Sequence, residues 1–368
     1  MHTQRLERWL GAQRLADLSR SMQGWYGPPI PLLDCPGGVK IHGDGNFSGP
    51  FERGVFFSAM DALDAAVRSA LRRAGKMNPN VLPAGFTSIS DALARASGGF
   101  GQLTPFNKVG PTGVVGVTSS LWRLGPQPPA GSAPGAAPGG TAFVRTSTGA
   151  LAMVNPPVAN TLKLVGADVS ANVINNSLLL YDLLFGVNKT MNSTATQAVT
   201  GVPTRYQNQV SGNPDYIGGN FLFVQVGGTA LAATAHNWTV CLYTDEGGVS
   251  GTLPSLTGNS GAIVDRLDHP VQQWFAPLAA GNVGIKALTQ MQCSALVATG
   301  VIWFMIGHPI GFMSFPVINS LFPFDWLTNR NQAPYIYDNA CLAFLEPMKP
   351  ATGATTYTGA LHFTAAAS

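Results

Sequence analysis

The sequence predicts a mainly β protein, an antiparallel sandwich of jelly-roll type, with a smaller helical region at its N-terminal end. Three observations predict it. Helical periodicity is confined to roughly the first hundred residues. From Gly110 onward, short runs rich in Val, Thr, Ile, Leu and aromatic residues are separated by Gly, Asn, Pro and Asp. Only 11% of the 368 residues are charged, against roughly 25% in ordinary soluble domains, while 45% are hydrophobic. The chain is therefore divided into an N-terminal region, 1–109, and a β domain, 110–368.

Residues 4–22, QRLERWLGAQRLADLSRSM, place Leu6, Trp9, Leu10, Leu15 and Leu18 at helical spacing. The following GWYGPPIP, with Trp25 and Tyr26, forbids continuation of that helix. Residues 34–54 are dense in turn residues; their GDGN lacks the alternating ligands and closing Glu of a calcium loop. A second helix is expected over 58–74, with Ser58 as N-cap and Gly75 as stop. A third, over 87–97, ends into GGFG. Arg68, Arg72, Arg73 and Lys76 cluster on the second helix and read as a solvated face. With a net charge of +3, no nucleic-acid platform is expected.

Strands are expected at 114–124, 143–148, 161–169, 177–187, 220–226, 237–245, 285–295, 301–307 and 341–348. In NWTVCLYTDEGGVSG, Trp238, Val240 and Leu242 alternate with Thr239, Cys241 and Tyr243, and DEGG is a hairpin turn. The most membrane-like run, 295–318, contains His308, Pro309 and Pro316; it reads as two buried strands joined by a Pro-Gly bend, not as a span. Residues 125–141, GPQPPAGSAPGAAPGGT, carry no charge, aromatic or bulky aliphatic. Strand-like runs flank them, so they read as a long loop inside the β domain. Their prolines would extend them and their glycines loosen them. The expectation is a segment that lies along a neighbouring subunit and orders only on assembly.

Catalytic signatures are lacking. There is no Gly-rich phosphate loop, no HExxH and no GxSxG. Asp265, Asp268 and His269 in IVDRLDHP form the one carboxylate–His cluster, read as a solvated turn with a local Arg266–Asp268 ion pair. The four cysteines, Cys35, Cys241, Cys293 and Cys341, form no CxxC pair and read as buried, reduced thiols. The six histidines have no ligand spacing, so neither metal nor cofactor is expected. The N-terminus lacks the apolar core of a signal peptide.

Several stretches resemble virion structural proteins of tailed bacteriophages. They are SSLWR (119–123) with its Pro/Gly/Ala loop, SLLLYDLLFGV (177–187), CLYTDEGGVSGTLPSLTGNSG (241–261), WFAPLAAGNVGIKALTQMQCSA (274–295) and YDNACLAFLEPMKPATGATTYTGAL (337–361). In order, they span about the last two-thirds of the chain. The resemblance implies a non-enzymatic, capsid-associated auxiliary or cement protein, located in the virion and assembled in the host bacterial cytoplasm. Major capsid, tail or baseplate positions are alternatives. Its partners would be copies of itself and other virion proteins, with Leu6, Trp9, Leu10, Trp25, Tyr26, Pro128, Pro129, Pro134 and Pro138 as subunit contacts. Neither a membrane nor direct nucleic-acid contact is expected. A host-surface adhesin is a further reading, in which Trp25, Tyr26, Trp122 and Trp274 would stack on sugar rings.

Overall fold

The computed structural model describes residues 86–112, 115–157, 160–207, 219–269, 274–326, 334–347 and 353–367, together with three short strands nearer the N-terminus. Those three, β1 (Leu33–Asp34), β2 (Lys40–Ile41) and β3 (Phe47–Ser48), form a small antiparallel sheet in a first compact unit, 1–81. The second unit is 82–368. The helices expected over 4–22 and 58–74 lie outside the described residues. The 87–97 helix is present as α1 (Ile89–Ser97), where the Ser88 hydroxyl accepts from Asp91 N at 2.9 Å and Arg95 pairs with Asp91 at 3.0 Å.

The rest is antiparallel β, as its alternating sequence predicts. In chain order the strands are β4 (Gly101–Val109), β5 (Ser119–Ser120), β6 (Pro126–Gln127), β7 (Thr141–Ala142), β8 (Asn160–Ala171), β9 (Asn176–Thr190) and β10 (Gln197–Ala198). Then come β11 (Phe221–Val226), β12 (Asn237–Asp245), β13 (Ser250–Thr252), β14 (Leu256–Thr257), β15 (Ile285–Cys293) and β16 (Val301–Phe315). The last four are β17 (Phe322–Asp325), β18 (Tyr335–Ile336), β19 (Leu342–Glu346) and β20 (Thr356–Ala367).

The central sheet runs β11-β16-β9-β19-β5, with β7 on β9. It closes on itself. Residues 265–268 bond to β11 on one side (Val226 N to Arg266 O, 2.8 Å; Asp268 N to Val224 O, 2.6 Å). On the other side they meet the β5 segment (Ser120 N to Asp265 O, 2.8 Å; Leu267 N to Thr118 O, 3.1 Å). One face of every barrel strand but two-residue β5 converges on a single interior: Tyr181 and Leu183, Phe223, Trp303 and Met305, Ala343 and Leu345, joined by Leu267 of the closing segment.

The outer face is covered by two further sheets. The upper halves of β9 and β16 pack on β10-β15-β12-β13 through Val187, Phe304, Ile306, Trp238, Tyr243 and Met291. Their lower halves pack on β17-β8-β20-β4-β6 through Leu178, Leu180, Met313, Leu164, Tyr357 and Phe363. Register shifts between Ile306 and Gly307 and between Pro309 and Gly311 let two 15-residue strands serve both cores without turning their apolar residues outward.

Four expectations need correction. Of the strand expected at 114–124, only Ser119–Ser120 is a strand among the described residues, and the chain then turns, with Leu124 N on Leu121 O at 3.2 Å. Residues 301–315 form one continuous strand, not two joined by a bend, because the shift at Pro309 absorbs the proline within the ladder. Residues 143–148 are a turn, closed by Ser147 N to Val144 O and by the Ser147 hydroxyl on Val144 N. The sheet begins at Gly101, not after 109, because β4 pairs with β20 along its whole length.

Candidate functional site

Residues 265–268 of IVDRLDHP are the barrel's closing segment, and Asp265 and Asp268 are buried rather than solvated. Asp268 does not pair with Arg266. Its Oδ2 accepts from His236 Nε2 and Trp238 Nε1, each at 2.9 Å, and its Oδ1 accepts from Asn259 N at 2.6 Å. These three donors and the absence of bulk water hold the carboxylate as an anchor between the closing segment and β12. Asp265 lies at the other end of the segment, in the left-handed region at φ 72°. It accepts from Gln225 Nε2 at 3.2 Å and faces Arg123 at 3.9 Å. Burial pushes its carboxyl up to about 6, against the opposing pull of Arg123 and the Gln225 bond.

Two more polar clusters are consumed by the fold. Asp182 on β9 pairs with Arg205, which also donates to Phe143 O and Leu183 O. Glu346 accepts from Asn176 Nδ2 at 2.9 Å and from the Tyr357 hydroxyl at 2.7 Å. Among the described residues no group of three His, Cys, Asp or Glu side chains is arranged to hold a metal ion. Cys241, Cys293 and Cys341 are buried and free, and Cys35 lies outside the described residues.

The Pro/Gly/Ala stretch is laced to its own domain. Gly131 N donates to Trp122 O at 2.8 Å, and Asn188 N to Gly135 O at 2.9 Å. The Asn188 amide donates to Pro134 O at 2.8 Å. The Lys108 ammonium, drawn out of water, reaches Leu124 O and Pro128 O. The loop therefore needs no neighbour to order it. Pro128 and Pro134 are buried in their own subunit and so are unavailable as contacts; Pro129 and Pro138 stay exposed. Leu6, Trp9, Leu10, Trp25 and Tyr26 lie outside the described residues. Trp122 is buried over Gly131 and so offers no free platform for a sugar; Trp274 is half-buried, with its ring stacked on Phe312 at 5.2 Å.

Part of what the fold leaves outward is apolar. The β8–β9 turn and the β16–β17 turn are tied together by Asn319 N to Ala171 O and Asn175 N to Phe315 O, both 2.8 Å. Their shared tip exposes Ile174, Val317, Ile318, Leu321 and Phe322, and no charged residue occurs between Val169 and Tyr181 or between Phe312 and Phe324. Elsewhere, the exposed Leu93 and Leu103 line an open cleft of about 420 Å³ between α1 and its sheet. Sequence reading missed both. An apolar residue in a turn looks like core until its neighbours are known. Among the described residues no helix is long and apolar enough to cross a membrane.

No protein-family model matches the chain, and no curated protein does. Among solved structures, one of the infectious bursal disease virus Gt strain aligns at 10% identity over 73% of this chain and 81% of that one, with a TM-score of 0.15. A VP2 subviral particle of the same virus aligns at 9% identity over 72% and 80%, with a TM-score of 0.12. The likeness is too weak to carry any argument about this chain, and it gives the tailed-phage resemblance no support.

Proposed function

We propose that the chain is a structural, non-enzymatic component of a bacteriophage virion: a capsid-associated auxiliary or cement protein that self-assembles and contacts neighbouring subunits. The observation that carries this reading is the uncharged apolar tip at Ile174, Val317, Ile318, Leu321 and Phe322. Contiguous exposed apolar residues mark interaction sites, and a low-charge surface suits permanent burial against neighbours. The buried carboxylates support a structural role too, since each is taken up by internal donors. The sequence resemblance points the same way. Major capsid, tail and baseplate positions differ from this reading in which neighbour covers the tip.

The test is sedimentation and electron microscopy of the full chain beside Ile318→Asp/Leu321→Asp. The wild type is expected to form oligomers or regular particles, and the variant to keep its fold and stay monomeric. A wild type that neither self-associates nor co-purifies with particles would overturn the proposal.

A further inference from the structure

The His236 ring is fully buried, and both of its nitrogens face oxygen. Nδ1 lies 3.0 Å from Thr234 O, and Nε2 lies 2.9 Å from Asp268 Oδ2. A carbonyl and a carboxylate both accept, and a neutral imidazole has one N–H. With Asp268 ionised, only the doubly protonated ring satisfies both contacts. Gly258 packs against that ring, where an added Cβ would stand 2.2 Å from Nε2, and Gly258 N donates to His236 O. Asn259 ties the segment's ends together, with its N on Asp268 and its amide on Leu267 O at 3.0 Å.

We propose that residues 258–268 are a proton-dependent closure of the barrel: imidazolium at His236 clamps the segment to β12, and loss of that proton loosens it. Loosening would free the facing edges of β11 and β5, which the segment otherwise occupies.

The surroundings agree. Asp268 is faced by the Cys293 thiol of β15, which neighbours Lys189 of β9 and Cys241 of β12. His269 follows Asp268 in the chain, and Arg123 and Arg266 flank Asp265 at the far end. Burial works against charge on His236, but the Asp268 carboxylate and Thr234 carbonyl outweigh it and hold the imidazole above its usual value. Asp265 is raised as well. Both groups bind protons more tightly folded than unfolded, so both contributions weaken as pH rises. Asp265 loses its share as pH climbs from the usual carboxylate range through about 6, and His236 as pH climbs through its raised value.

The test is nitrogen NMR of the histidine rings in the full chain, with amide exchange of 258–268 corrected for the intrinsic pH effect. Both His236 nitrogens are expected to carry protons at neutral pH. The segment is expected to lose protection on going to alkaline pH while β9 and β16 keep theirs, and His236→Gln is expected to abolish that dependence. A neutral, singly protonated ring, or wild-type protection that does not change with pH, would overturn the proposal. Should the variant fail to fold, the wild-type ring measurement decides alone.

Discussion

Arg205 and Asp182 meet as a bidentate pair, with Nε to Oδ2 at 2.9 Å and Nη2 to Oδ1 at 2.7 Å, both side chains out of water. Asp182 sits on β9 between Leu180 of one core and Leu184 of the other. It also accepts from Cys341 N at 2.7 Å, next to β19. The pair thus fixes the level at which the long strands change cores. Arg205→Met alone strands a buried carboxylate and is expected to cost about 3–5 kcal/mol in urea unfolding. Adding Asp182→Leu is expected to recover much of that loss; a double variant as unstable as the single would contradict this account of the pair.

Gly131 holds the proline stretch beneath Trp122. A Cβ there would stand 2.2 Å from the indole, and one at Gly149, with φ 96°, would stand 2.2 Å from Gly131 itself. Gly131→Ala is expected to cost about 1–3 kcal/mol through overpacking. Limited proteolysis should then cut between 125 and 141, where the wild type resists.

Lys108 is pushed down to about 8 by burial, below its usual 10.5. Its folded form therefore releases its proton before the unfolded form does, and stability gains as pH rises from about 8 towards 10.5. The stability of the wild type relative to Lys108→Met should therefore rise over that window. A difference that stays flat in pH-dependent unfolding would show that the amine is not desolvated.

Trp238→Phe keeps the ring packed edge-on against Phe304 but removes the indole donor from Asp268. A hydrogen bond to a buried charge is worth about 1.5–3 kcal/mol, and the melting curve should show a loss of that order. A neutral result would mean that Asp268 is held by His236 and Asn259 alone.

Much of this fold is legible in the sequence, and the reasons it is not elsewhere are physical. β9, β11, β12, β15 and β19 announce themselves through alternating or continuous apolar runs bounded by turn residues. β20, TYTGALHFTAAA, has its strand pattern weakened by Gly359 and the three alanines 365–367, and it becomes a strand through pairing with β4 and β8 on both sides. β4 hides behind Pro105, which interrupts an otherwise ordinary strand pattern. The buried role of Asp268 could not be read locally, because its partners His236 and Trp238 come from 32 and 30 residues away. The proline stretch misleads for a similar reason. Its composition describes a free chain, whereas the groups that order it, Lys108 of β4, Asn188 of β9 and Trp122 of the turn after β5, lie around it.

The measurement that bears most directly on the central claim is electron cryomicroscopy of gradient-purified particles that contain the chain. The account predicts regularly arrayed copies, with the Ile174 and Val317–Phe322 tip buried against a neighbouring subunit. Absence of the chain from such particles, or a tip that faces solvent in every copy, would contradict it.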